Sequence, residues 1–196
     1  MSAPNRFRPE RIGIFGGSFD PIHWAHLELA RTAFWTVPLD QVAFVPARQS
    51  PHKTAGGEAG PGDRAEMVRR AIEGQAGFHL VPWELHRPGL SYSIDTVRRF
   101  QERWPNADLF WILGSDQWNT LETWRAWEEL AERVAFIVFP RPDPPSPRPG
   151  VRLIPLDFRS DISSTDIREA VRQGRPWQHF VPEPVADYIT TRHLYS

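Results

Sequence analysis

The stretch GIFGGSFDPIHWAH, Gly13 to His26, brings two glycines, an Asp-Pro pair and two histidines to the point where an apolar strand gives way to a helix. Gly16 and Gly17 let a backbone turn tightly and approach a ligand closely. The N-terminus of the following helix offers free N–H groups and a field that favours anions. His23 and His26 stand three residues apart, so both can line one face of the turn. Imidazoles donate hydrogen bonds to phosphate oxygens. Together these residue types suit a polyphosphate. The spacing is not the dinucleotide fingerprint, which needs G-x-G-x-x-G, nor a P-loop, because no G-K-[ST] follows. Zinc at His23-x-x-His26 needs further ligands, and the chain has no cysteine. Glycines also end strands and histidines also cap helices without meeting any ligand.

The elements that must position these groups follow from periodicity. Arg11–Gly17 reads as a buried strand stopped by glycines. A helix follows from about Ala25 to Thr36, with Leu27, Ala30 and Phe34 on one face, then a strand over Gln41–Ala47. Arg48–Gly62 is a polar, glycine-rich loop of the length usually reserved for function or disorder. Asp63, with Glu66 at capping-box spacing, opens a helix whose stripe is Met67, Ala71 and Ile72. Phe78–Leu85 is a strand running into a loop, and Ser93 opens a helix to about Arg103 with Ile94, Val97 and Phe100 inward. Asp108–Gly114 is a strand. Leu121–Ala131 has helical spacing, with Leu121, Trp124, Trp127 and Leu130 in one stripe. Arg133–Pro140 and Val151–Leu156 are strands, joined by a proline-rich surface connection that can be neither helix nor central strand. Asp166–Gln173, ended by Gly174, and Pro182–Thr191 are helices. Such alternation predicts an α/β fold, a doubly wound parallel sheet with helices on both faces. Ligands in such sheets bind beyond the carboxyl ends of the strands, near the switch in strand order. The expected organisation is one domain over 1–196, its core about 11–160, with a C-terminal helical segment, 163–195.

Composition limits the function. The chain has 196 residues, 40% hydrophobic and 24% charged, enough for a core and unlike a disordered chain. A net charge of -1 argues against broad nucleic-acid binding but not against a local phosphate site. No apolar run approaches the roughly 18 residues of a membrane span, and the first residues lack a signal-peptide pattern. The expectation is a soluble cytoplasmic protein with no membrane or nucleic-acid partner.

GSFDPIHWAH (Gly17–His26) resembles the G-x-F-D-P-x-H-x-G-H signature of the nucleotidylyltransferase superfamily, and ISSTDIR (Ile162–Arg168) resembles its I-S-S-T-x-I-R motif. Ala25 stands where that family has glycine, a change of one methyl expected to be tolerated. PHK (Pro51–Lys53), SYSIDT (Ser91–Thr96), LGSDQWNTLETWRAWEEL (Leu113–Leu130) and VPEPVADYITTRHLY (Val181–Tyr195) are similar to segments of bacterial nicotinate-nucleotide adenylyltransferases. The resemblance implies a Rossmann-like sheet of the nucleotidylyltransferase type. It implies transfer of the adenylyl group of ATP to nicotinate mononucleotide, giving nicotinate adenine dinucleotide (deamido-NAD) and pyrophosphate, with Mg²⁺ carried mainly by the ATP phosphates and no dedicated protein metal site.

The site residues come from the same resemblance. His23, His26, Lys53 and Arg168 would be catalytic. ATP would meet Gly16, Gly17, Ser18, Phe19, Gly114, Asp116, Ile162, Ser163, Ser164 and Thr165, with one of these last three hydroxyl residues capping the following helix. The mononucleotide would meet Ser18, Lys53, Tyr92, Thr96, Trp124 and Arg125. Trp124 would stack on the nicotinate ring, although its stripe with Leu121 and Trp127 also suits core packing. Asp20 is read as capping its own turn before Pro21. The alternatives are an adenylyltransferase using nicotinamide mononucleotide or both substrates, a phosphopantetheine enzyme, and a non-catalytic nucleotide sensor. The tryptophans are also compatible with a homo-oligomer interface.

Overall fold

The computed structural model describes residues 10–51, 57–141 and 143–196. Six strands form one parallel sheet: β1 (Arg11–Gly17), β2 (Gln41–Pro46), β3 (Phe78–Leu80), β4 (Asp108–Gly114), β5 (Ala135–Phe139) and β6 (Leu153–Pro155), in the order β3-β2-β1-β4-β5-β6. β1 lies between β2 and β4, with Ile14 level with Ala43 on one side and Trp111 on the other. Such a central strand is shielded on both faces, which is why Ile12 to Phe15 can be apolar or glycine throughout. Gly13 sits in close packing, since a Cβ there would stand 2.7 Å from Leu39 Cδ1 and make that side chain shift.

Alternate strand residues feed two cores. Phe15, Val42, Phe44 and Ile137 face a layer made by α1 (Trp24–Thr36), α2 (Pro61–Ile72), α6 (Ser164–Arg172) and α7 (Glu183–Thr191). Ile12, Ile14, Val45 and Trp111 face α3 (Ser93–Arg103), α4 (Ser115–Asn119) and α5 (Trp127–Arg133). The sheet is therefore doubly wound, and its order reverses between β1 and β4. Among the described residues no helix is long and apolar enough to cross a membrane.

Two sequence expectations change. Asp63 does not cap α2, which starts at Pro61, where a fixed φ suits the first helical position. Asp63 instead accepts a hydrogen bond from the Tyr188 hydroxyl at 2.9 Å, joining α2 to α7. Leu121–Ala131 is not one helix. A 3₁₀ turn over Leu121–Thr123 ends at an extended Trp124, and Ala126 takes a left-handed φ of 51° before α5 begins. Leu121, Trp124 and Leu130 are all buried, but two short segments rather than one helix bury them, and the break turns Trp124 toward the end of the sheet. The proline-rich connection does run over the surface, held there by Trp118 Nε1, which donates to the Ser146 carbonyl at 2.9 Å.

Candidate active site

A cleft of about 440 Å³ opens at the carboxyl ends of β1 and β4. Its size suits a nucleotide-sized ligand. Gly16, Gly17 and Ser18 line it where β1 ends. A Cβ on Gly16 would stand 3.0 Å from Trp111, and one on Gly17 would stand 3.0 Å from Phe19, so bare backbone is what lets these rings close in. Phe19 adopts a left-handed φ of 47°, a strained conformation for a non-glycine residue, and its buried ring packs on Phe15 and Phe44.

His23 is the N-cap of α1, and both histidines line the cleft with their rings stacked 3.7 Å apart. His26 Nδ1 accepts from the His23 backbone N–H at 3.3 Å. Burial, and secondarily the charge of Arg141, push the His23 imidazole down to about 3, so it is neutral at neutral pH.

The second motif arrives from the far end of the chain. Ser163 caps α6, accepting from the Asp166 N–H at 3.2 Å, and the Ser164 hydroxyl donates to the Pro21 carbonyl at 2.9 Å. That bond joins α6 to the β1–α1 turn. Ile162, Ser163, Ser164, Thr165 and Arg168 all line the same cleft. Asp20 does not cap its own turn. Its carboxylate accepts from the N–H groups of Glu58 (2.7 Å) and Ala59 (3.1 Å) and from the Tyr195 hydroxyl (2.8 Å).

On the other side, Gly114, Asp116, Tyr92, Trp124 and Arg125 line the cleft. A Cβ on Gly114 would collide with Asp116 Oδ1, so this glycine makes room for the aspartate. Trp124 packs edge-to-face on Trp111 at 6.4 Å and forms part of the cleft wall. Trp127 is half-buried against the core on the α5 side. The Arg125 guanidinium lies 4.7 Å above the Tyr92 ring.

Thr96 is not on the cleft wall. It is buried one turn into α3, and its hydroxyl donates to Glu84. Ser93, at the first turn of α3, lines the cleft instead. Lys53 lies outside the described residues. Sequence reading missed Ser93, Glu84 and Arg141, all on the cleft wall. Arg141 follows β5, where the rule that ligands bind beyond strand ends would have marked it. Its backbone N–H donates to the buried Ser115 hydroxyl at 2.7 Å, and its Nε is 3.9 Å from Asp116.

A doubly wound sheet with a glycine-rich turn and a second, hydroxyl-rich helix start meeting at its switch point is an α/β arrangement of the nucleotide-binding type. Residues 14–170 accordingly match the family model described as cytidylyltransferase-like. The chain is 46% identical over 95% of its length to a protein of Gloeobacter violaceus named "Probable nicotinate-nucleotide adenylyltransferase", covering 97% of that protein. A Shouchella clausii protein of the same name is 40% identical, with 95% of this chain and 97% of that one covered. The fold matches Plasmodium falciparum nicotinic acid mononucleotide adenylyltransferase, solved in complex with NaAD, with a TM-score of 0.77, 24% identity and coverage of 95% and 97%. The chain belongs to the nicotinate-nucleotide adenylyltransferase family.

Proposed function

We propose that this chain transfers the adenylyl group of ATP to nicotinate mononucleotide, releasing pyrophosphate and forming nicotinate adenine dinucleotide for NAD biosynthesis. The observation that carries this is the convergence of the β1–α1 turn and the start of α6 on one cleft that Trp124 and Tyr92 also line. An acceptor phosphate oxygen forms a bond to the α-phosphorus as the bond to the leaving pyrophosphate breaks. That oxygen is already anionic, so no general base is needed. A neutral His23 fits this scheme as a hydrogen-bond donor, not a proton acceptor. Catalysis is then alignment and charge neutralisation.

His23 and His26 hold the ATP phosphates, with the backbone of Gly16–Phe19 and with Ile162, Ser163, Ser164, Thr165 and Arg168. Gly114 and Asp116 meet the nucleoside, Asp116 through a ribose hydroxyl. Tyr92, Trp124 and Arg125 hold the acceptor, Trp124 through its ring, and Lys53 its phosphate. Mg²⁺ fits this site as a passenger on the triphosphate. The Asp20 carboxylate is taken up by two N–H groups and a hydroxyl, so a Mg²⁺ ion here would be carried mainly by phosphate oxygens and water. When bound, it supplies charge neutralisation. The chain acts as one domain whose segment 163–195 completes the ATP side, working in the cytoplasm on dissolved nucleotides. Trp35, 78% exposed near the end of α1, is the residue to watch for a homo-oligomeric contact.

The test is pyrophosphate release from Mg-ATP with nicotinate mononucleotide, nicotinamide mononucleotide, phosphopantetheine or no acceptor, with product masses checked. Strong preference for nicotinate mononucleotide is expected. Equal use of both mononucleotides would make the enzyme dual-specific. No turnover from protein that still binds ATP would replace the enzyme with a sensor.

A further inference from the structure

Arg168 reaches the cleft already gripped. Its Nε–H donates to Glu58 Oε1 at 2.7 Å, and Nη1 donates to the Asp20 carbonyl at 2.8 Å. The other carboxylate oxygen of Glu58 accepts from Arg172, one turn further along α6. The Glu58 backbone is fixed as well, its N–H donating to Asp20 Oδ2 at 2.7 Å. The carboxylate is thus held between a braced backbone and two guanidinium groups, which keep it ionised and its pKa below the ordinary value.

The placement decides what this carboxylate does. Arg168 lines the cleft, whereas Glu58 and Arg172 do not. Glu58 therefore grips the guanidinium on its Nε edge, from outside the cleft. A guanidinium has five N–H donors, and the Nε–H and one Nη1 proton are committed here. Among the described residues Nη2 has only a long contact to Thr165 Oγ1, at 3.5 Å, which leaves it to face a ligand. An unbraced arginine would lose much rotamer entropy on binding phosphate, and a preorganised one loses less.

We infer that Glu58 is a positioning residue for the ATP side of the site: braced by Arg172, it aims Arg168 at the triphosphate. The inference rests on the adenylyl-transfer reading above. Its rival, an internal anion that ATP must displace, would put Glu58 in the cleft and predicts the opposite sign.

The experiment is calorimetric binding of α,β-methylene ATP to wild type, Glu58→Gln, Arg168→Gln and the double variant, with KM for both substrates and melting temperatures. The Glu58 side chain is 42% exposed, so Glu58→Gln should fold as wild type does. The expected result is about tenfold weaker binding for Glu58→Gln, a matching rise in KM for ATP, and an unchanged KM for the mononucleotide. Arg172→Gln should shift both in the same direction, by less. In the Arg168→Gln background the Glu58 change should have no further effect. Tighter binding by Glu58→Gln would overturn the inference in favour of the rival. An equal loss with and without Arg168 would overturn it in favour of a general structural role. A wild type that does not bind the analogue would instead strike the adenylyl-transfer reading.

Discussion

Replacing Arg64 by methionine should unfasten the turn that carries the cleft. Arg64 sits in α2 at 1% exposure, and its guanidinium donates to the carbonyls of Ser18 and Ala47 at 2.7 Å each, of Arg48 at 3.2 Å and of Ala59 at 3.3 Å. One side chain thus ties the end of β1, the end of β2 and the start of the following loop to α2. Methionine keeps most of the apolar stem and none of the donors. The two short bonds, each charge-assisted, are together worth about 3–6 kcal/mol. Part of this is returned because the desolvation that lowers the Arg64 pKa disappears with the charge. The net loss should be about 3 kcal/mol, read as a shift in the midpoint of urea unfolding at pH 7 with an unchanged slope. For a chain of this size that corresponds to a fall in Tm of roughly 6–12 °C. Arg64→Lys keeps the charge but not the fork and should recover less than half of the loss. A loss below about 1 kcal/mol for Arg64→Met would show that the four carbonyls find other partners and that Arg64 does not hold the turn.

Other outcomes follow from the same geometry. Stability should fall by about 2 kcal/mol between pH 7 and pH 5, because the unfolded His23 takes a proton near 6.5 while the folded one refuses it until about 3. Comparing urea midpoints of wild type and His23→Asn at both pH values isolates this, and an identical acid loss in the two would sink it. Thr96→Val should cost about 1 kcal/mol by removing one of the side-chain hydrogen bonds to Glu84, which keeps Ser91 as a partner, and so leave the KM for the mononucleotide unchanged. Steady-state kinetics showing a large KM change would return Thr96 to the acceptor site. Trp124→Ala should lower kcat/KM for the mononucleotide by about 10–100-fold, the worth of one lost stacking partner. Quenching of tryptophan fluorescence on titration with the mononucleotide should vanish in that variant, and quenching that persists would place the ring elsewhere.

The parts of the fold legible in the sequence are those set by local pattern. β1 and β4 appear with their observed bounds because an uninterrupted apolar run closed by glycine has few other solutions. The helix starting at Ser93 was equally plain. The segment 115–133 was not, since its three- and four-residue apolar spacing is satisfied as well by two helices around a break. Ala126 takes the left-handed conformation that a glycine would have announced. The Asp63–Glu66 spacing imitated a cap, but Pro61 was the true signal of a helix start. Thr96 lies off the cleft wall because only the first turn of α3 reaches it, and linear spacing does not say how deep a helix end lies. Asp20, Glu58 and Arg64 were opaque because their partners come from remote segments.

The Tyr195 hydroxyl on Asp20 ties the loop after the last helix to the first turn of the site, joining residues 175 apart in sequence. A contact of such long span is late to form in folding. It also gives the molecule a cheap way to open. Fraying after α7 needs no loss of the sheet, yet it removes one of the three hydrogen bonds on the Asp20 carboxylate, and Asp20 in turn holds Glu58 and Ala59. Nucleotide affinity and global stability therefore need not fall together on warming. Amide exchange should show the Glu58 and Ala59 N–H groups opening in step with the residues around Tyr195, well below the temperature at which β1 yields.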